Sequence, residues 1–341
     1  MSRIRVGVIG GGFGARVQAP AFRLDPRFEL VGLASRAPER ARAAADKAGI
    51  GKVYGSAAEL VNDPNIDLVS IAVPPREQPD LLELVLDAKK HVFAEKPIGG
   101  GAARARGLAE RAERLGVAHV VDFEFPEIDV FQRARAWLEG GKIGRVRHAT
   151  VAWHIESYAH RHGLRDGWKV SASAGAGVLG LFLSHSFYYV EWLLNQRISG
   201  LQARLVSDPL VAEDAAEEVV HASLLCGAVP VSVAASSCSR AGNGHRIEIH
   251  GDSGAIVLDN PNTDYISGFT VSLFDEPGHV ALREDSSFQP APGVDGRVAA
   301  VASLLKRLGD WIERGARCSP DLGDGARIES WLEQARTHGK A

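Results

Sequence analysis

The run Val6-Gly7-Val8-Ile9 ends in Gly10-Gly11-Gly12-Phe13-Gly14-Ala15, and a helix-forming stretch follows over residues 15–24. Strand, glycine loop and helix in that order constrain the fold more than any other feature of the chain. Gly10 suits a tight turn, Gly12 lets a pyrophosphate approach the backbone, and Ala15 keeps the helix close to the sheet. Gly10, Gly12, Phe13, Gly14 and Ala15 are therefore read as a dinucleotide cradle, with the phosphates at the helix N-terminus.

The loop opens a regular pattern. Apolar runs at 3–9, 29–35, 67–72, 91–94 and 118–121 alternate with Ala- and Leu-rich amphipathic stretches. Strands that read as continuous apolar runs are buried on both faces, so the pattern predicts βαβ units and a doubly wound parallel sheet over residues 1–122. After Asp122 a helix is expected at 128–139, then strands at 146–155, 201–206, 218–226, 230–236, 245–250, 255–258 and 269–274. Successive strands separated by turn residues predict an α+β domain over 123–341 with a mostly antiparallel, open-faced sheet. Helices at 294–314 and 326–336 close it, and are expected to return to the first domain.

With 341 residues, 45% of them hydrophobic, both domains have enough material for a core. A net charge of −3 gives no polycationic field for nucleic acid. No run approaches the roughly 20 apolar residues of a membrane span, and the first apolar run reads as a strand, not a signal peptide. Three cysteines are too few for a disulfide framework and fit a reducing, cytoplasmic setting.

The end of the second strand speaks to the nucleotide. An NAD site usually offers a carboxylate there to the ribose hydroxyls, whereas this chain reads Leu33-Ala34-Ser35-Arg36. Ser35 and Arg36 suit a 2′-phosphate, which favours NADP(H) and leaves NAD(H) possible if Arg36 only stacks on adenine.

At Ala94-Glu95-Lys96-Pro97 a further motif follows a strand end. Together with the glycine loop, Pro74 after the strand at 68–73, and Gly141-Lys142-Ile143-Gly144, it resembles the glucose-fructose oxidoreductase, inositol dehydrogenase and rhizopine-catabolism (Gfo/Idh/MocA) family over nearly the whole chain. The resemblance implies a Rossmann domain followed by an open-faced sheet domain. It also implies hydride transfer at a carbinol or carbonyl carbon of a sugar, cyclitol or related polyol lying between the two. Lys96 would lie near the nicotinamide and the substrate, where an ammonium can bond the reacting oxygen. Glu95, Pro74 and Gln78 would stand near the cofactor, Gln78 alternatively beginning a helix.

The family's second signature, a glycine-rich turn leading to an Asp and a His four residues later, appears as Gly175 to His185. His185 is kept as general acid or base. Leu181 replaces the Asp, which leaves Lys96 and His185 as the inherited proton-handling pair. Trp153, Tyr158, Trp168, Lys169 and Asp122 are candidate substrate contacts, the tryptophans by stacking on a sugar face. The acids of Asp122-Phe123-Glu124-Phe125, which stands where the family has an Arg-containing segment, either bind polyol hydroxyls or cap the next helix. His154, His160 and His162 match no HExxH pattern, so no metal is expected.

Two other functions fit the sequence. Leu181 allows a non-catalytic dinucleotide-binding sensor or partner subunit, and some family relatives use NAD transiently in glycoside cleavage. The family resemblance also implies a homodimer or homotetramer.

Overall fold

The computed structural model describes residues 3–339 apart from 165–166, 208–213, 263, 265 and 289. Strands β1 (Ile4–Ile9), β2 (Phe28–Ala34), β3 (Lys52–Tyr54), β4 (Leu68–Ile71), β5 (His91–Ala94) and β6 (His119–Val121) form one parallel sheet in the order β3-β2-β1-β4-β5-β6. The order reverses between β1 and β4, the position at which doubly wound sheets open a crevice beyond their carboxyl ends. Helices α1 (Ala19–Arg23), α2 (Pro38–Ala48), α3 (Ala57–Asn62), α4 (Gln78–Asp87) and α5 (Ala102–Leu115) connect these strands.

The chain divides into two compact units: Met1–Glu124 with Pro292–Ser330, and Phe125–Ala291 with Trp331–Ala341. The C-terminal part therefore returns to the first unit before the chain ends. In helix α9 (Arg297–Arg314), Val298, Val301, Leu304, Leu305 and Leu308 recur at helical spacing and are buried against Val6, Val8, Phe22 and Phe93.

In the second unit, helices α6 (Asp129–Glu139), α7 (Tyr158–Arg161) and α8 (Ser184–Leu194) accompany an eight-stranded sheet. Its strands are β7 (Val146–His154), β8 (Ile198–Val206), β9 (Val219–Cys226), β10 (Val229–Ser236), β11 (Gly244–Gly251), β12 (Ala255–Asn260), β13 (Thr270–Glu276) and β14 (His279–Asp285). Their order is β14-β13-β12-β11-β7-β10-β9-β8, and only the β10–β7 pair is parallel. Val220, Ala222, Leu224 and Cys226 alternate inward along β9, so one face carries the core. Helix α10 (Leu322–His338) begins in the first unit and ends in the second.

Three elements differ from the sequence reading. The helix expected over 15–24 opens as a wider π-helical turn, Gly14–Gln18, before α1. Strand β3 is only three residues long, and β14 is exposed along most of its length, so neither shows an apolar run. Among the described residues no helix is long and apolar enough to cross a membrane.

Candidate active site

The glycine loop is shaped as its sequence demands. Gly10 has φ +127°, and a Cβ there would stand 2.1 Å from the Ala72 carbonyl oxygen. Nothing lies within 4 Å of a Cβ at Gly12, which leaves the open approach a pyrophosphate needs. The close contact expected of Ala15 is shared: Gly14 abuts Val8 and Ala72, while Ala15 is buried among Ala19, Leu33 and Ala41. Phe13 lies against the α9 side of the core, with the Arg297 guanidinium 4.8 Å above its ring. At the end of β2, Ser35 is half-buried and Arg36 is exposed, its guanidinium 2.9 Å from the Glu77 carboxylate. Pro74 caps a turn whose carbonyl accepts from the Glu77 N–H at 2.9 Å.

Gln78 begins α4 and is fully buried. Its amide donates to the backbone carbonyls of Glu95 (2.5 Å) and Pro97 (3.0 Å), so it holds the Glu95-Lys96-Pro97 segment in place.

Lys96 lies in a cluster of acids. Gln18, on the turn that leaves the glycine loop, donates from Nε2 to Glu95 Oε1 at 2.8 Å and to Asp122 Oδ2 at 3.4 Å, while its Oε1 accepts from the Ser70 hydroxyl at 2.6 Å. Gln18, Ser70, Asp122 and Glu124 are buried; Glu95 and Lys96 keep some surface but are closely surrounded by protein. Burial pushes the Glu95 carboxyl up to about 7, with the Lys96 ammonium holding it partly down. Burial and then the Asp122 charge push Glu124 up to about 8. Asp122 is raised well above the ordinary carboxylate range by burial and then by the Glu95 charge. Burial lowers the Lys96 ammonium, against the pull of Glu95, Glu124 and Asp122. Asp122, expected to touch substrate, is 1% exposed and engaged by Gln18. It is a neighbour within the cluster, because a carboxyl so enclosed has no surface to offer a polyol.

In the second unit the His185 ring meets the Phe125 ring edge-on at 4.9 Å and is 5% exposed. Glu217 braces the segment that carries it: its carboxylate accepts from the Leu179 N–H at 3.0 Å and its carbonyl from Val178 at 2.9 Å. Leu181, half-buried in that same turn, brings no polar group. Trp153 is a correction. Phe182 stacks on it at 4.6 Å and His245 at 4.1 Å, so both ring faces are already covered and no sugar can stack there. Tyr158 and Trp168 are exposed, and Lys169 stands 5.7 Å from the Tyr158 ring centre; these three remain accessible.

Two family models match the chain. Residues 4–123 fit the oxidoreductase family with an NAD-binding Rossmann fold, and residues 131–257 fit the GFO/IDH/MocA C-terminal domain. The chain belongs to the Gfo/Idh/MocA family of oxidoreductases. An uncharacterised oxidoreductase of Synechocystis is 29% identical over 94% of this enzyme and 90% of its own length. Levoglucosan dehydrogenase in complex with NADH and levoglucosan has the same fold, with a TM-score of 0.84 at 20% identity over 99% of this chain and 98% of that one. A 3-ketoreductase from Actinomadura kijaniata, in complex with NADP and TDP-benzene, gives 0.82 at 20% identity over 99% and 98%.

Sequence reasoning about this oxidoreductase missed Gln18, Glu77 and Glu217, and named Glu124 only together with Asp122 among the acids of one segment. Gln18 carries a weak signal, an amide in an otherwise apolar stretch, Val17 to Phe22. One group of metal-capable side chains stands among the described residues: Glu113, His119 and Asp321. His119 Nδ1 accepts from the Leu322 N–H at 3.2 Å, which puts the ring proton on Nε2, facing Glu113 Oε1 at 3.2 Å. That nitrogen then has no lone pair for an ion.

Proposed function

We propose that this enzyme transfers hydride between NADP(H) and a carbinol or carbonyl carbon of a sugar, cyclitol or related polyol, with Lys96 and His185 handling the substrate oxygen and its proton. One observation carries the reading. Gln18, on the turn that leaves the glycine loop, is bonded at 2.8 Å to Glu95, the residue before Lys96, so the cradle and the lysine belong to one crest of the same sheet. A bound nicotinamide supplies or accepts the hydride. Lys96 bonds the reacting oxygen and offsets charge that develops there; His185 gives or takes the hydroxyl proton. The open backbone at Gly12 accommodates the pyrophosphate, and Ser35 with Arg36 recognises the 2′-phosphate. Tyr158, Trp168 and Lys169 are proposed to contact the polyol.

Leu181 favours one second reading, a sensor that binds dinucleotide without turnover. Parallel titration with NADPH and NADH, followed by cofactor fluorescence and thermal shift, tests the nucleotide. Oxidation of a polyol panel that includes levoglucosan tests the chemistry. Tighter NADPH binding with turnover of any panel member supports the proposal; tighter NADH binding overturns the reading of Arg36, and binding without turnover favours the sensor.

We also assign the enzyme to the cytoplasm, in keeping with its having only three cysteines, and to a homodimer or homotetramer. Apolar side chains exposed on the sheet, Val206, Leu225, Val280 and Leu282, support assembly, and light scattering of the purified protein tests it.

A further inference from the structure

The buried acids around Lys96 outnumber the cation they enclose. Three carboxyls, Glu95, Asp122 and Glu124, act on one ammonium, and Arg297, which also bears on Glu95 and Glu124, has its guanidinium bonded to Asp295 at 2.7 Å. Three carboxylates in so little water would leave uncompensated negative charge, which proteins relieve by keeping a proton.

Hydrogen bonding indicates which acid keeps it. The Gln18 Nε2 sits closer to Glu95, at 2.8 Å, than to Asp122, at 3.4 Å, so Glu95 receives the better donor and is the better-supported anion. Asp122 Oδ1 is buried and receives no donor among the described residues. An acceptor left like that is costly, whereas a carboxyl O–H at the same position donates. The neighbouring acid is Glu95, which shares the Gln18 amide with Asp122 and whose charge pushes the Asp122 carboxyl up.

We propose that Asp122 is a positioning residue: it holds a proton, donates it in a hydrogen bond to the Glu95 carboxylate, and through Glu95 keeps Lys96 an ammonium. The inference rests on the reading of Lys96 as the group that bonds the substrate oxygen. Asp122 itself touches no reacting atom. Gln18 fixes the geometry by presenting one amide to both acids, with Ser70 fixing which end of that amide faces them. The groups that face Lys96 are then Glu95 as its counter-ion, Asp122 and Glu124 as neutral acids at neutral pH, and Arg297 as a like charge of smaller effect.

Infrared difference spectroscopy of the intact protein tests it without any substrate. At about pH 7, below the pH at which Glu124 ionises, the wild type should show the C=O stretch of a protonated carboxyl that belongs to Asp122. The Asp122→Asn variant should lose that band, and Glu124→Gln should keep it. Absence of the band in wild type, or its survival in Asp122→Asn, overturns the proposal. The link to Lys96 is read by NMR of ¹³Cε-lysine, with the resonance assigned from Lys96→Met. Asparagine still donates to Glu95 and should leave the Lys96 titration in place. Asp122→Leu cannot donate and should move it down by about one pH unit or more. Equal shifts in both variants would overturn the path through Glu95. Should Lys96→Met keep full hydride transfer, the functional reading fails while the infrared result stands on its own.

Discussion

Lys96 and His185 are both enclosed, but by opposite means. Around Lys96 the enclosing groups are ionisable, and Glu95 and Asp122 are held by the Gln18 amide, which the Ser70 hydroxyl fixes in turn. Around His185 they are aromatic: Phe125 at 4.9 Å, with Trp153 at 6.4 Å. Even the neighbouring His245 is kept neutral, pushed down to about 3 by burial, with its Nε2 2.8 Å from the Tyr189 hydroxyl. A charged pocket exchanges protons and feels pH through every member; an aromatic one fixes a ring and excludes water. The lysine site should therefore govern charge at the reacting oxygen, and the histidine site the direction of proton delivery.

Removing each group separates these roles. Lys96→Met should lower kcat about 10³-fold, the scale of losing a charged donor to a developing oxyanion, while leaving nucleotide affinity unchanged. His185→Phe keeps the aromatic contacts and should lower kcat by about 10²-fold. Single-turnover hydride transfer read beside nucleotide titration checks both. Equal losses in the two variants, each with the pH profile unaltered, would erase the contrast.

Next in size is an effect on stability. The folded-state pKa of Glu124 lies near 8, above its ordinary value of 4.5, so folding favours its protonated form. Its contribution is most favourable below the ordinary value and is lost as pH rises toward 8. Glu124→Gln removes that loss. Its Tm relative to wild type should climb by several degrees between about pH 5 and pH 8. The His185→Phe difference from wild type, in aromatic surroundings, should vary less over the same interval. A Glu124→Gln difference that stays flat with pH would show that the acid cluster is not the pH-sensitive region.

Much of this arrangement can be read from residue patterns, and the failures share a cause. The glycine loop and Lys96 announce themselves because each depends on a local motif at a strand end. Strand β3 and the exposed β14 do not, since pairing with a neighbour, not an apolar run, makes them strands. Trp153 shows a signal left unused: Ala149, Val151 and Trp153 alternate inward along β7, and period two assigns the tryptophan to the core. Asp122 was misjudged for a different reason. An acid after a strand is usually solvated, and only the meeting of Gln18, Ser70 and Glu95 from distant parts of the chain reveals that this one is enclosed.

The smallest expected effect concerns the outer edge of the nucleotide cradle, where the charges are exposed instead of buried. Arg36 is the residue read as the 2′-phosphate ligand, yet its guanidinium is engaged by Glu77 at 2.9 Å on a solvated surface. A 2′-phosphate must compete with that carboxylate, and exposed pairs of this kind are weak. Glu77→Gln should therefore tighten NADPH only about two- to five-fold, and NADH not at all. Calorimetric titration of both nucleotides at low and high salt reads the difference, which should shrink with salt as solvated charges do. If NADH tightens as much as NADPH, Glu77 acts on the loop as a whole and Arg36 does not discriminate. A gain confined to NADPH would make Glu77 a tuning residue for nucleotide choice, in the one part of the crest where charge is left to water.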